Sequence, residues 1–311
     1  MKSLSDYRIV YMGTPKISAQ ILEKMIEDGF NIVAVIAQED KPVGRKGVLE
    51  PVPTKQVALA HNIPVYQPHR IRKEYEFVKD LKPDLILTMA YGQIVPHELL
   101  VIPKLGCLNL HGSLLPKLRG AAPIQRAILN GDTVTGVTLM EMVDEMDAGK
   151  MFAKEACAIT DEDTTTSLQQ KIVECAVKLV EEKLPLYLDG KLPGEEQDPK
   201  EVTFADKIQP EDEKVSFKLA THKFIRYVHA LSEEPGAYVY LDDLKLKLFR
   251  VHYVNKETNN PVGTLLIVKG TYIQLEDGVI QVDEIQLEGK KKMDGKSFAN
   301  GSQKLHQKIL K

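Results

Sequence analysis

The sequence predicts an α/β protein in two parts: a Rossmann-like domain with a mostly parallel sheet, then a small C-terminal β-barrel of the oligonucleotide-binding (OB-like) type. Three observations carry this. Residues 1–188 alternate short apolar, β-rich runs with longer segments of helical period, the mark of strand–helix–strand units. A stretch rich in Gly, Pro and acids, residues 189–206, then breaks the alternation and reads as a linker. Residues 207–311 fall into short strands separated by turn pairs, which suits a small antiparallel barrel.

Arg8 to Met12 reads as a buried strand. Thr14 is expected to cap the next helix, with Pro15 at its first position, where a missing N–H is harmless. Ile17, Ile21, Leu22, Met25 and Ile26 then share one helical face. Asn31 to Gln38 is the second strand, and a basic loop from Lys41 to Lys55 separates it from a helix near residues 53–61. Pro64 to Tyr66, Asp84 to Met89, Cys107 to His111 and Gly136 to Met142 are further strands, with helices at 71–81 and from Pro123 to Leu129. Residues 161–184 form an amphipathic helix, and Asp189 to Glu201 reads as exposed. One helical stretch at 210–231 precedes the barrel strands: Ala237 to Tyr240, Leu244 to Tyr253, Gly263 to Val268, Tyr272 to Leu275 and Ile280 to Leu287.

Composition narrows the function classes. No run approaches the roughly 18–20 apolar residues that span a bilayer, and the N-terminal residues carry no signal or transit pattern, so the cytoplasm is expected. The cysteines Cys107, Cys157 and Cys175 show neither CxxC spacing nor a disulfide framework and are expected to be buried, reduced thiols. No paired histidine spacing suggests a metal, and none is expected. Residues 207–311 hold 17 Lys and Arg against 14 Asp and Glu, leaving 24 against 30 in residues 1–206. A mildly basic module behind an acidic one fits contact with nucleic acid. Gly13-Thr14-Pro15 is not a GxGxxG turn, so a nicotinamide cofactor is not expected despite the Rossmann-like layout.

The chemistry concentrates at Asn109-Leu110-His111-Gly112-Ser113-Leu114-Leu115-Pro116. Asn109 and His111 are two apart on a strand and share a face, at the carboxyl end where α/β folds bind ligands. An Asn amide donates to a developing oxyanion, and a His moves protons near neutral pH. A carboxylate completes the set by orienting the imidazole; Asp144, Glu145 and Asp147 all qualify, and spacing does not choose among them.

The run HGSLLPKLRGAAPIQRAILNGDTVTGVTLMEMVDEMDAG (His111 to Gly149), with YMGTPKISAQIL from Tyr11 and MAYGQIVP at 89–96, resembles the methionyl-tRNA formyltransferases. The barrel fits that family's tRNA-contacting domain, so the resemblance covers nearly the whole chain. It implies a catalytic set of Asn109, His111 and Asp147 and a folate-contacting turn of Ser113, Leu114, Leu115 and Pro116. It implies 10-formyltetrahydrofolate as donor, initiator methionyl-tRNA as acceptor, and no membrane partner; a monomer is expected. The basic loop with Lys41, Arg45 and Lys46 resembles the family's insertion loop near the tRNA acceptor end, where Lys and Arg suit phosphate contact. Lys290, Lys291, Lys292 and Lys296 form a second candidate phosphate patch. At Leu231 to Ala237 the chain departs from the family's frequent Trp-Pro element, having no Trp. The competing expectations are a formyltransferase for a sugar-nucleotide amine or glycinamide ribonucleotide, a 10-formyltetrahydrofolate hydrolase, and a non-catalytic RNA-binding protein.

Overall fold

Short β-branched and aliphatic runs, punctuated by Gly and Pro, form the elements of the first half in the computed structural model, which describes residues 3–43, 47–256 and 258–311. In chain order these are β1 (Ile9–Gly13), α1 (Lys16–Glu27), β2 (Ile32–Ile36), β3 (Lys41–Val43), β4 (Val48–Glu50), α2 (Pro53–Ala60), β5 (Val65–Tyr66), α3 (Phe77–Leu81), β6 (Leu85–Met89) and α4 (His97–Leu100). There follow β7 (Cys107–His111), α5 (Pro123–Asn130), β8 (Val134–Glu141), β9 (Met151–Ala158), α6 (Thr165–Glu182) and α7 (Leu184–Leu188). The last third holds α8 (Thr221–Ala230), β10 (Ala237–Leu241), β11 (Leu244–Val254), β12 (Leu265–Ile267), β13 (Thr271–Gln274), β14 (Val279–Leu287), β15 (Met293–Asp294) and α9 (Gly295–Gly301). Two compact units result: Met1–Gly120 with Val134–Cys157 and Gln169–Phe204, and Ala121–Thr133 with Ala158–Leu168 and Ala205–Lys311.

The first unit is built on a seven-stranded sheet in the order β5-β2-β1-β6-β7-β8-β9. The pairs from β5 to β7 are parallel, and β8 runs antiparallel to β7. Every residue of β1 and β6 is buried, as a central parallel strand covered on both faces requires. Strand order reverses between β1 and β6, which places the ligand crevice beyond their carboxyl ends, one strand from β7. Gly13 ends β1 because a Cβ there would lie 1.8 Å from Ser18 Oγ and 2.8 Å from the Met89 carbonyl.

The second unit is an antiparallel sheet in the order β10-β11-β14-β13-β12, with β15 on β14. Phe224 and Val228 of α8 and Phe298 of α9 pack into its interior with Val239, Leu246, Leu248, Ile280 and Ile285. The last residues of the chain link its two edges. Leu265 N–H donates to the Lys308 carbonyl (2.8 Å) and Leu310 N–H to that of Gly263 (2.8 Å), while Tyr240 and Lys311 exchange two backbone bonds (2.7 and 2.9 Å). Edge groups that would otherwise be unpaired are satisfied this way, and the sheet closes as a barrel.

Several elements differ from the sequence expectation. Thr14 does not cap α1, whose N-cap is Pro15; its hydroxyl instead donates to the Tyr91 carbonyl and accepts the Gln38 N–H. The helix expected at 71–81 shrinks to α3, because the Glu74 carboxylate takes the N–H groups of His69 and Arg70 and folds that stretch into turns. The helix expected at 210–231 shrinks to α8, whose start is fixed where the Asp277 carboxylate accepts the N–H and hydroxyl of Thr221. The basic loop contains the β3–β4 hairpin, and β9, α4, α7, α9 and β15 are elements that the sequence pattern does not mark. Residues 189–201 are not uniformly exposed, since Gln197 is buried. Cys107 and Cys175 are buried free thiols as expected, whereas Cys157 is half-exposed.

Candidate active site

β7 is flanked by β6 and β8, and its alternation sends Leu108 and Leu110 into packing while Asn109 and His111 share the other face. Asn109 lies in register with Thr88 of β6, and its amide makes no hydrogen bond among the described residues. The neighbouring Thr88 hydroxyl is buried without a partner as well. Unpaired polar groups side by side at a strand end are costly unless a ligand completes them.

His111 is buried, and its ring is hydrogen-bonded at one nitrogen and faces a carboxylate at the other. Nε2 lies 2.9 Å from the Leu118 carbonyl, which can only accept, so Nε2 carries a proton. Nδ1 faces Asp147 Oδ2 at 3.6 Å, beyond hydrogen-bond length but within ion-pair reach. Of the three candidate acids, Asp147 alone meets His111. Asp144 pairs with His97, and Glu145 pairs with Arg119. Asp147 has a left-handed backbone (φ 51°), and its Oδ2 also accepts the Gly120 N–H at 2.8 Å.

The Ser113–Pro116 turn is tightly built. The Thr138 hydroxyl donates to the Ser113 carbonyl (2.7 Å) and accepts the Leu115 N–H (3.0 Å). Ser113 Oγ donates to the Lys117 carbonyl at 2.7 Å, and the Leu115–Pro116 peptide is cis. Ser113, Leu115 and Pro116 are buried, so Leu114, half-buried, is the member of the turn with side-chain surface to offer. Cys107, on the same strand, is no rival nucleophile: burial pushes its thiol up to about 12.

Lys41 is exposed at the start of the β3–β4 hairpin, opposite Glu50. Arg45 and Lys46 lie outside the described residues. Below the hairpin, Lys55 holds the Asp40 carboxyl below the usual carboxylate range. In the second unit, Lys292 is paired with Glu233 and Glu284, which leaves Lys290, Lys291 and Lys296 as the exposed cations of that patch. Sequence reasoning missed Leu118, Thr138, Gln197 and Thr203. Only Thr138 had a legible signal, as the residue opposite His111 on β8.

Comparison with known proteins settles the family. Residues 7–184 match the formyl transferase family, and residues 207–303 match the formyl transferase C-terminal domain. The methionyl-tRNA formyltransferase of Lactobacillus johnsonii is 41% identical over 297 residues, covering 94% of this chain and 95% of its own. That of Bacillus cereus is 41% identical over 300 residues, covering 95% and 96%. The chain belongs to the methionyl-tRNA formyltransferase family. It is an enzyme of formyl transfer. Among solved structures, a HypX variant from Aquifex aeolicus superposes with TM-score 0.72 at 21% identity over 95% of this chain, which spans 49% of HypX, and shares its fold. HypX has also been solved with tetrahydrofolic acid (TM-score 0.69, 20% identity, 93% of this chain and 46% of HypX). Among the described residues no three His, Cys, Asp or Glu side chains converge as a metal site, and no helix is long and apolar enough to cross a membrane.

Proposed function

We propose that this formyltransferase moves the formyl group of 10-formyltetrahydrofolate to the α-amino group of methionyl-initiator tRNA, giving N-formylmethionyl-tRNA for translation initiation. The observation that carries the reading is the meeting of Asn109, His111 and Asp147 at the end of β7, with the Asn109 amide unpaired. The folate supplies the formyl carbon and the leaving nitrogen. Asn109 donates to the formyl oxygen as negative charge grows on it while the methionine nitrogen attacks. The Leu118 carbonyl holds the proton on His111 Nε2, so Nδ1 is the nitrogen that takes the amine proton and returns it to the departing folate nitrogen. Asp147 stabilises the imidazolium formed in between. One C–N bond forms, one breaks, and one proton passes from acceptor amine to folate.

On this reading residues 1–188 are the catalytic domain, 189–206 the linker and 207–311 the tRNA-binding domain. The Ser113, Leu114, Leu115 and Pro116 turn meets the folate, chiefly through Leu114. Lys41, Arg45 and Lys46 meet tRNA phosphate, and the enzyme works as a cytoplasmic monomer. The relatives' names favour tRNA as acceptor. Incubation with 10-formyltetrahydrofolate and charged initiator tRNA tests this: formylmethionyl-tRNA is the expected product. Formate release alone, or formylation of a sugar-nucleotide amine in its place, overturns the acceptor.

A further inference from the structure

The segment that the sequence presents as a linker touches both loops of the candidate site. Gln197 is only 9% exposed, and every polar atom of its side chain is used. Its Nε2 donates to the carbonyls of Asp147 (2.7 Å) and Gly149 (2.8 Å), while its Oε1 accepts Arg119 Nε at 3.0 Å. Arg119, also buried, reaches on to Glu145. One carboxamide therefore ties the loop carrying Asp147 to the loop carrying Leu118, Arg119 and Gly120. Gly149 sits where a Cβ would lie 2.1 Å from the Glu141 carbonyl, so this end of the loop is seated hard against β8.

Six residues further on, Thr203 secures the second loop. Leu118 N–H donates to Thr203 Oγ1 and Arg119 N–H to the Thr203 carbonyl, both at 2.9 Å. Leu118 is the residue whose carbonyl fixes His111 Nε2. At the other end of the segment, Glu195 and Met151 exchange two backbone bonds of 2.8 Å, which pins it to β9. Asp147 and Leu118 both have positive φ (51° and 60°), a conformation that neither prefers and that surrounding bonds must maintain.

We infer that residues 195–204 are a positioning strap for the catalytic set, with Gln197 setting Asp147 and Thr203 setting His111 through the Leu118 carbonyl. Neither side chain is placed against substrate; both are positioning residues. The inference rests on the catalytic reading of Asn109, His111 and Asp147. A misplacement of about 1 Å costs on the order of 10²-fold in rate, so the effect falls on kcat.

Gln197→Met keeps length and apolar bulk and removes all three hydrogen bonds. It is expected to lower kcat about 30-fold with KM for folate and tRNA within about 3-fold. Because Gln197 acts through Asp147, the same change added to Asp147→Ala is expected to cost less than about 2-fold more. A kcat within about 3-fold of wild type, or losses that multiply in the double variant, overturns the inference. Should Gln197→Met not fold, the exposed Thr203 carries the test: Thr203→Val is expected to lower kcat several-fold and Thr203→Ser to restore it. Equal rates for the two Thr203 variants overturn its role.

Hydrogen exchange at Gly120, whose N–H donates to Asp147 Oδ2, reads the position of Asp147 without any turnover. Faster exchange in Gln197→Met supports the strap, and unchanged exchange overturns it. A wild-type enzyme that formylates nothing would refute the catalytic reading while leaving this measurement to decide the strap.

Discussion

His111 shows how one residue's role depends on its neighbours. The Leu118 carbonyl assigns a proton to Nε2, and Asp147 lies across from Nδ1. His111→Ala and Asp147→Ala are each expected to lower kcat about 10²–10⁴-fold, the range of general acid–base help. Single-turnover formylation measures this, and rates within a few-fold of wild type would remove both from the mechanism. Asn109→Ala is expected to cost about 10²–10³-fold in kcat, as for loss of one oxyanion donor. A change confined to KM would mean that Asn109 binds substrate without acting on the transition state. The sequence made Asn109 and His111 legible because strand alternation fixes which side chains share a face. Spacing did not rank Asp144, Glu145 and Asp147, and Asp147 was implied by the family resemblance alone; the physical choice depends on where His97 and Arg119 arrive from distant parts of the chain.

At the scale of elements, strands are most legible in the sequence where a buried run is bounded by turn residues. β7 has the expected limits, and the barrel strands β10 to β14 begin and end within two residues of theirs. Helices are least legible where a carboxylate competes for backbone N–H groups. Glu74 unwinds the residues before α3, and Asp277 delays the start of α8. Such competitors cannot be located by period, because Asp277 is 56 residues from the N–H it takes. The barrel's closure belongs here also. Leu310 is 3% exposed and carried by the tail that joins the two sheet edges. Leu310→Ala is expected to destabilise the second unit by about 2–5 kcal/mol, as for other buried Leu truncations. Thermal unfolding followed in that unit should show the loss, and an unchanged midpoint would mean that the tail does not hold the barrel shut.

For the molecule as a whole, the two units give separate tests. His229 in the second unit is buried, its Nε2–H donates to the Val251 carbonyl, and burial pushes its pKa below the ordinary value. The unfolded chain therefore takes up a proton that the folded chain refuses. Stability from this group is complete above pH about 6.5 and is lost as pH falls from there towards the lowered folded value. His229→Gln should flatten that acid dependence in urea titrations from pH 7.5 to 5; an unaltered slope would assign it elsewhere. In the first unit, replacing Lys41, Arg45 and Lys46 together by Ala is expected to weaken tRNA binding and flatten its dependence on log salt by about 0.7–0.9 per lost phosphate contact. An identical slope would exclude the loop from the interface. The sequence by itself determined most of the central strands and the longer helices, a barrel following the Rossmann-like part in the chain, and the face shared by Asn109 and His111, because these follow from local period and turn chemistry. Asp147 followed from the family resemblance and not from spacing; only the tertiary structure decided that the Leu118 carbonyl fixes the imidazole proton and that residues 195–204 brace both loops. Leu118 is only 7 residues from His111, but it is held in place by Thr203, 85 residues away, and Asp147 meets Gly120 from 27 residues away; no local pattern records which of these groups will meet.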